Sequence, residues 1–275
     1  MGSAAPEDYL GSRFTLDKQA IELAVVEIRY RSETGSISQA AGLEFRQALR
    51  DCGLDMDGFE PMATQEVKFE MTPAGGHATA RTADQGWVCR DTRTGMVVTL
   101  MPGSLSIQTR VYRRWSETMQ PPVATALNAL RDMRAPTLRT RVGLRYVNRF
   151  VDYAASVPAA WSARFDVGLL GPLVSGPITS LVRGSQQQLE LGWPDGIGGL
   201  IRHGAFADAA ANHSYSYLID IDLFDGATEP FDAGECLERV TMLNRRSAEL
   251  FRSLLSGQHL DERGIRVEAE GGEPS

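Results

Sequence analysis

Four arginines stand at odd-numbered positions in one short segment, Arg139, Arg141, Arg145 and Arg149 within 138–151. Apolar Val142, Leu144, Tyr146 and Phe150 alternate with them, the pattern of a β-strand. Residues of one parity share a face of a strand, so the four guanidiniums are expected together on one side and the apolar groups on the other. Guanidiniums cannot be buried unpaired, so that side must face carboxylates or an anion. Candidate acids are Glu27, beside Arg29 on a strand expected over 24–30, and Asp220 and Asp222, out of phase with Ile219, Ile221 and Leu223 on a strand expected over 215–224. Two readings of this face stand together. In one, the charges are cross-strand ion pairs worth about 0.2–1 kcal/mol each. In the other, Arg29, Arg139, Arg141, Arg145, Arg149, Glu27, Asp220 and Asp222 form a ligand site on an open sheet face, where a bound anion replaces some of the pairs.

Other reactive residues carry less. Asp220 and Asp222 share a face at strand spacing, but no third carboxylate or histidine is close in sequence and the arginines compete for them, so no metal centre is expected. His77, His203, His213 and His259 are dispersed and fit no zinc-binding spacing; His203, beside Arg202, is the one candidate acid or base. The glycines at 196, 198 and 199 are not followed by Lys-Ser or Lys-Thr and read as a turn between strands rather than a phosphate loop. No G-x-S-x-G is present, and Ser247 and Ser253 have no partner register for a serine nucleophile. Cys89 alternates with strand neighbours as a small core residue does. No catalytic set and no cofactor are expected from these residues.

Composition narrows the class. The chain has 275 residues, 28 Lys and Arg against 35 Asp and Glu, and a net charge of −7. This balance argues against a surface that is wholly a nucleic-acid footprint, and the presence of only two lysines, Lys18 and Lys68, with scattered tryptophans disfavours a single-strand binder. The 43% hydrophobic and 23% charged fractions are those of a globular protein rather than a disordered or fibrous one. Three separated cysteines, Cys52, Cys89 and Cys236, suggest reduced thiols and a cytoplasmic setting. No apolar run approaches a bilayer span, the N-terminus has no signal-peptide pattern, and Gly2 is a poor myristoylation site because Pro6 stands where Ser or Thr is required, so no membrane partner is expected.

The elements that must position the arginines follow from periodicity. After the strand over 24–30 come a helix over 39–52 stopped by Gly53, strands over 65–71, 86–92, 95–101 and 104–112, and a helix over 122–133 entered at Pro121 and Pro122. The second half repeats the order with the Arg-rich strand, a weakly helical stretch over 161–170, strands over 187–193, 198–206 and 215–224, and a long helix over 235–256. Val26 to Tyr30 lies over Val142 to Tyr146, Val67 to Met71 over Leu189 to Trp193, and Ile107 and Val111 over Ile219 and Leu223. The expected fold is therefore α+β: tandem β-α-β(3–4)-α halves, 20–134 and 135–256, forming a curved antiparallel sheet with helices on one face, and a largely flexible tail over 257–275.

Units in this order resemble the TATA-binding-protein-like saddle and the tandem domains of the GyrI-like small-molecule-binding proteins, whose concave sheet face binds something. The segment Arg141-Val-Gly-Leu-Arg-Tyr-Val-Asn-Arg-Phe150 resembles the signature box Arg-[Ile/Val]-Gly-Leu-Arg-Tyr-[Ile/Val]-Asn-Arg of a sporadically distributed, uncharacterised family of bacterial proteins of about this length. Glu27 to Tyr30 and Leu218 to Asp222 match two further strands of that family, and Pro121-Pro122 departs from it. The resemblance implies no activity. The expectation is a non-catalytic cytoplasmic binding or accessory protein that holds an anionic small molecule or a partner protein on the Arg-rich face, with homo-oligomers allowed. The alternative is an enzyme or enzyme subunit using these acids and arginines with His203 or Tyr146 on an anionic metabolite. Nucleic-acid binding is the third reading and fights the net charge.

Overall fold

The computed structural model describes residues 14–31, 36–72, 75–133 and 136–267, and for 14–15, 65–72, 75–83 and 266–267 only the backbone. The expectations for Gly2, the N-terminal signal, and the side chains of Val67, Lys68, Phe69, Met71 and His77 lie outside the described residues.

The elements run β1 (Phe14–Leu16), β2 (Ile21–Tyr30), α1 (Gln39–Asp51), β3 (Gly58–Thr72), β4 (Gly75–Asp91), β5 (Met96–Met101), β6 (Ser104–Thr109) and α2 (Gln120–Asp132). Then follow β7 (Leu138–Phe150), the single turn α3 (Val167–Leu170), β8 (Gln187–Gly192), β9 (Ile197–Ala207), β10 (Tyr215–Asp225), β11 (Glu229–Pro230), α4 (Ala233–Leu254), α5 (Gly257–Glu262) and β12 (Ile265–Val267). Sequence-level stops and starts explain the helix ends. The Ser38 hydroxyl accepts the Ala41 N–H at 3.2 Å to open α1, and Gly53, at a φ of +87°, turns the chain away after it. The Asp232 carboxylate caps α4 at the Glu235 N–H, 2.8 Å away. Pro121 and Pro122 sit in the first turn of α2, where a missing N–H costs nothing, and one π-helical turn, Trp115–Met119, leads into them.

The main sheet is wholly antiparallel, ordered β3-β4-β5-β6-β2-β7-β10-β9-β8 with β11 beside β7. β2 and β7 thus pair at the centre, with β3 to β6 on one side and β8 to β10 on the other. One row of cross-strand neighbours, Cys89, Val98, Ile107, Val26, Leu144 and Leu223, crosses six strands with every member buried. Each such aliphatic side chain contributes about 1.5–3 kcal/mol on burial. Helices cover this row: Phe45 and Leu49 of α1, Val123 and Leu127 of α2, and Val240 and Leu243 of α4 share its core. The expected repeat fails between β7 and β8, where no helix matches the 13-residue α1. Short turns over 158–181 cover the sheet there, pinned by Trp161 and Phe165 against Phe150 and Tyr217; the Phe165 and Tyr217 rings lie 4.4 Å apart.

The tail differs from expectation over 257–267. Ser256 caps α5, His259 is buried against the Phe150 and Phe165 rings, and β12 pairs with β1 near the start of the chain. Residues 268–275 lie outside the described residues. No helix among the described residues is long and apolar enough to cross a membrane.

Candidate functional site

The centre of the helix-free sheet face is built by β2, β7, β10 and β9. Register places Arg29 opposite Arg141, Val25 opposite Arg145, Arg145 opposite Asp222, and Asp220 opposite Arg202. Three of the four arginines of β7, Arg141, Arg145 and Arg149, stand on this face with Glu27, Arg29, Asp220 and Asp222, as parity predicts.

Arg139 does not. Between Arg29 and Tyr30 the β2–β7 register slips, so Tyr30 faces Arg139 and Thr140 becomes an extra residue on β7. A bulge of this kind reverses the parity of everything beyond it. Arg139 consequently turns to the helix side, 2% exposed, where it pairs with Asp225 at 3.2 Å and with Glu229, while Arg239 of α4 reaches the same Asp225 at 3.1 Å. A cavity of about 470 Å³ opens beside this cluster, lined by Arg139, Glu229, Glu235, Glu238, Arg239 and Met242.

On the helix-free face the pairs fall into three groups. Arg141 reaches Glu27 on one side at 2.7 Å and Asp222 on the other at 2.9 Å, with Arg29 also on Glu27 at 3.1 Å. To do so its guanidinium lies across Gly143, where a Cβ would stand 2.1 Å from Nη1, and 4.9 Å from the Phe224 ring centre. Arg149 binds Glu22 at 2.9 Å and, through Nε, Asp208 at 3.0 Å. Asp208 also accepts the Ser216 hydroxyl at 2.5 Å, and these bonds hold its carboxyl below the usual carboxylate range, Ser216 first.

The third group is different in balance. Arg145 clamps Asp220 side-on, Nε at 2.7 Å and Nη2 at 2.8 Å, and Arg202 approaches the same carboxylate at 3.3 Å. Two guanidiniums share one acid. The Asp220 side chain is 3% exposed, whereas those of Arg145 and Arg202 are 44% and 35% exposed. The hydrogen bonds from Arg145 raise its guanidinium above the usual arginine range, so it is a permanent cation. Its outer edge, Nη1 and the second Nη2 hydrogen, meets no acceptor among the described residues, a fixed geometry suited to an incoming carboxylate or phosphate.

His203 and Tyr146 do not join this group. Both point to the helix side. His203, 2% exposed, bonds the Tyr217 hydroxyl at 2.8 Å, and the Tyr146 hydroxyl donates to Asn244 of α4 at 2.9 Å. Burial lowers the His203 pKa and raises that of Tyr146 well above its usual range. Cys89 is buried, its thiol pushed up to about 11. No cluster of three metal-ligating side chains occurs among the described residues.

Sequence reasoning missed Glu22, Asp208 and Arg202 as members of the face. Arg202 was legible, since it alternates with buried Ile201 and His203 on β9. Asp208 follows the end of β9, and no periodicity marks it.

No family model matches the chain, and no curated protein matches it. Among solved structures, it is similar to the Pct1 RNA triphosphatase of S. pombe at 8% identity and a TM-score of 0.12, over 88% of this chain and 81% of that one, a likeness that carries no argument.

Proposed function

We propose that this protein is a non-catalytic binding protein that receives an anionic group between Arg145 and Arg202 on the helix-free sheet face. The observation that carries the reading is the clamp itself. A buried carboxylate fixes two half-exposed guanidiniums, and the neighbouring Asp222, which also attracts Arg145, is already bonded to Arg141. Fixing the cations beforehand lowers the ordering cost of binding, and the open outer edge of Arg145 can take two oxygens at once. Arg141 and Arg149 each bond two acids and are less available to a ligand.

Titration calorimetry with pyrophosphate, citrate and an acidic peptide tests this. One charge-assisted bond in a partly desolvated site is worth about 1.5–3 kcal/mol, about tenfold or more in affinity. Arg145→Gln is expected to weaken the best of the three probes by at least tenfold and to cost about 1.5–3 kcal/mol of stability at most, since it removes two bonds to the buried Asp220 while Arg202 still pairs with it, so the affinities are compared below the melting temperature of the variant. The probe that binds best separates a metabolite from a protein partner as the carrier of the anion. Binding of none of them to the wild type, or equal binding to wild type and variant, refutes the reading.

A further inference from the structure

The two edges of the ten-stranded sheet differ in character. β3 carries Pro61, which has no N–H to offer a further strand, and a register shift between Ala63 and Gln65. Both devices blunt an edge. β8, Gln187 to Gly192, contains no proline and no lysine, and it pairs with β9 without a shift. Among the described residues no strand lies on its far side, so alternate backbone N–H and C=O groups point outward without a sheet partner. Leu189, opposite Ile201, belongs by parity to the helix-covered side, yet it is 42% exposed. An open backbone ladder selects an extended strand as its occupant.

We propose that this strand is β8 of a second copy of the chain, paired antiparallel about a two-fold axis at Leu189. A two-fold axis normal to the sheet keeps both helix layers on one side, and directly opposed residues must then share parity. The axis can therefore pass through residue 188, 189 or 190. At Glu190 two carboxylates would meet directly, which is destabilising. At Gln188, the exposed Leu189 would face Gln187 and stay beside a polar group. At Leu189, the two leucines bury each other on the helix side, and on the opposite side Gln188 of each copy stands opposite Glu190 of the other, amide N–H to carboxylate. Of the three, this last register alone buries Leu189 against an apolar partner without opposing two carboxylates, and it leaves Gln187 of each copy opposite Leu191 of the other at the ends of the paired stretch. It also extends the row of Arg202 and Gln188 to Glu190 of the second copy. The association is closed and stops at two chains. It rests on the edge alone and is independent of the anion reading.

Sedimentation velocity of the full chain from about 1 to about 100 μM is expected to show a dimer whose population rises with concentration. Leu189→Lys, which sets two ammonium groups against each other, is expected to give monomer throughout. A cysteine series in a Cys52→Ser background reads the register; the remaining thiols, Cys89 and Cys236, are buried. Leu189→Cys opposes itself across the axis within disulfide reach and is expected to form a covalent dimer on oxidation, at least tenfold faster than Gln187→Cys or Leu191→Cys, which oppose each other. If Leu189→Lys fails to fold, the cysteine series decides. A monomeric wild type, a dimer that survives Leu189→Lys, or cross-linking at 187 or 191 as fast as at 189 overturns the proposal.

Discussion

Adding a single methyl group at Gly143 should cost stability only while Arg141 is present. The backbone at 143 has no positive φ, so alanine is conformationally allowed there. The three nearest atoms to the added Cβ all belong to the Arg141 guanidinium, at 2.1, 2.7 and 3.0 Å. That guanidinium is the mobile end of a long side chain, so the methyl displaces it rather than breaking the sheet. Displacement breaks one of its bonds to Glu27 and Asp222, at 2.7 and 2.9 Å, and stretches the other, and the Arg141 side chain is only 18% exposed. Two partly buried charge-assisted bonds, one lost outright and one weakened, come to about 1.5–3 kcal/mol. Alanine returns about 0.5–1 kcal/mol, because glycine in a strand is the worse residue. Gly143→Ala is therefore expected to destabilise the protein by about 1–2 kcal/mol. In an Arg141→Ala background the same change should instead stabilise by about 0.5–1 kcal/mol. Urea unfolding of the four proteins closes the double-mutant cycle. Equal effects of Gly143→Ala in both backgrounds would refute the account of the glycine as room for the crossing arginine.

Two further outcomes follow from the placement of charge. Arg139→Met should destabilise by about 1.5–3 kcal/mol in urea unfolding, since it removes a 2% exposed guanidinium and leaves Asp225 beneath α4 with Arg239 as its partner; a cost below about 0.5 kcal/mol would contradict the bulge at Thr140 that turns Arg139 to the helix side. Because burial lowers the His203 pKa from 6.5, the unfolded chain binds the proton first as pH falls, so stability is full above about pH 6.5 and declines below it until the folded histidine titrates. His203→Gln should flatten part of that decline in urea midpoints, and an unchanged slope would show that His259, also lowered by burial, carries it.

Period-two alternation was enough to find β2, β7 and β10 and to group Arg141, Arg145 and Arg149 with Glu27, Asp220 and Asp222, because a half-buried strand writes its two faces directly into the sequence. Arg139 was misplaced by the same rule. A bulge leaves no trace in a pattern where the residues on both sides of it are charged or polar, and its partner Asp225 falls one residue past the expected end of its strand. The segment over 257–267 was unreadable for another reason. α5 is six residues and β12 three, too short for periodicity, and β12 is fixed by pairing with β1 at the far end of the chain.

The pairing of β2 with β7 is locally symmetric. Alignment lays Val25 on Arg141, Glu27 on Gly143 and Arg29 on Arg145. In the sheet Val25 faces Arg145, Arg29 faces Arg141, and Glu27 faces Gly143, so each aligned pair is its own image about a local axis at Glu27 and Gly143. Glutamate at both positions would set two carboxylates directly opposite one another on that axis. Glycine on one strand removes the clash and opens the lane through which Arg141 joins Glu27 to Asp222. The outer neighbours break the symmetry again: β6 sets Ser104 and Ser106 against Arg29 and Glu27, while β10 sets Asp222 and Phe224 against Arg145 and Gly143. Among the described residues Arg29 thus pairs with Glu27 alone and is 58% exposed at its side chain, whereas Arg145 gains a buried carboxylate two residues along β10. The same local symmetry yields a loose arginine on β2 and a fixed one on β7, and it is the acids of β10 that decide which strand can present a rigid cation.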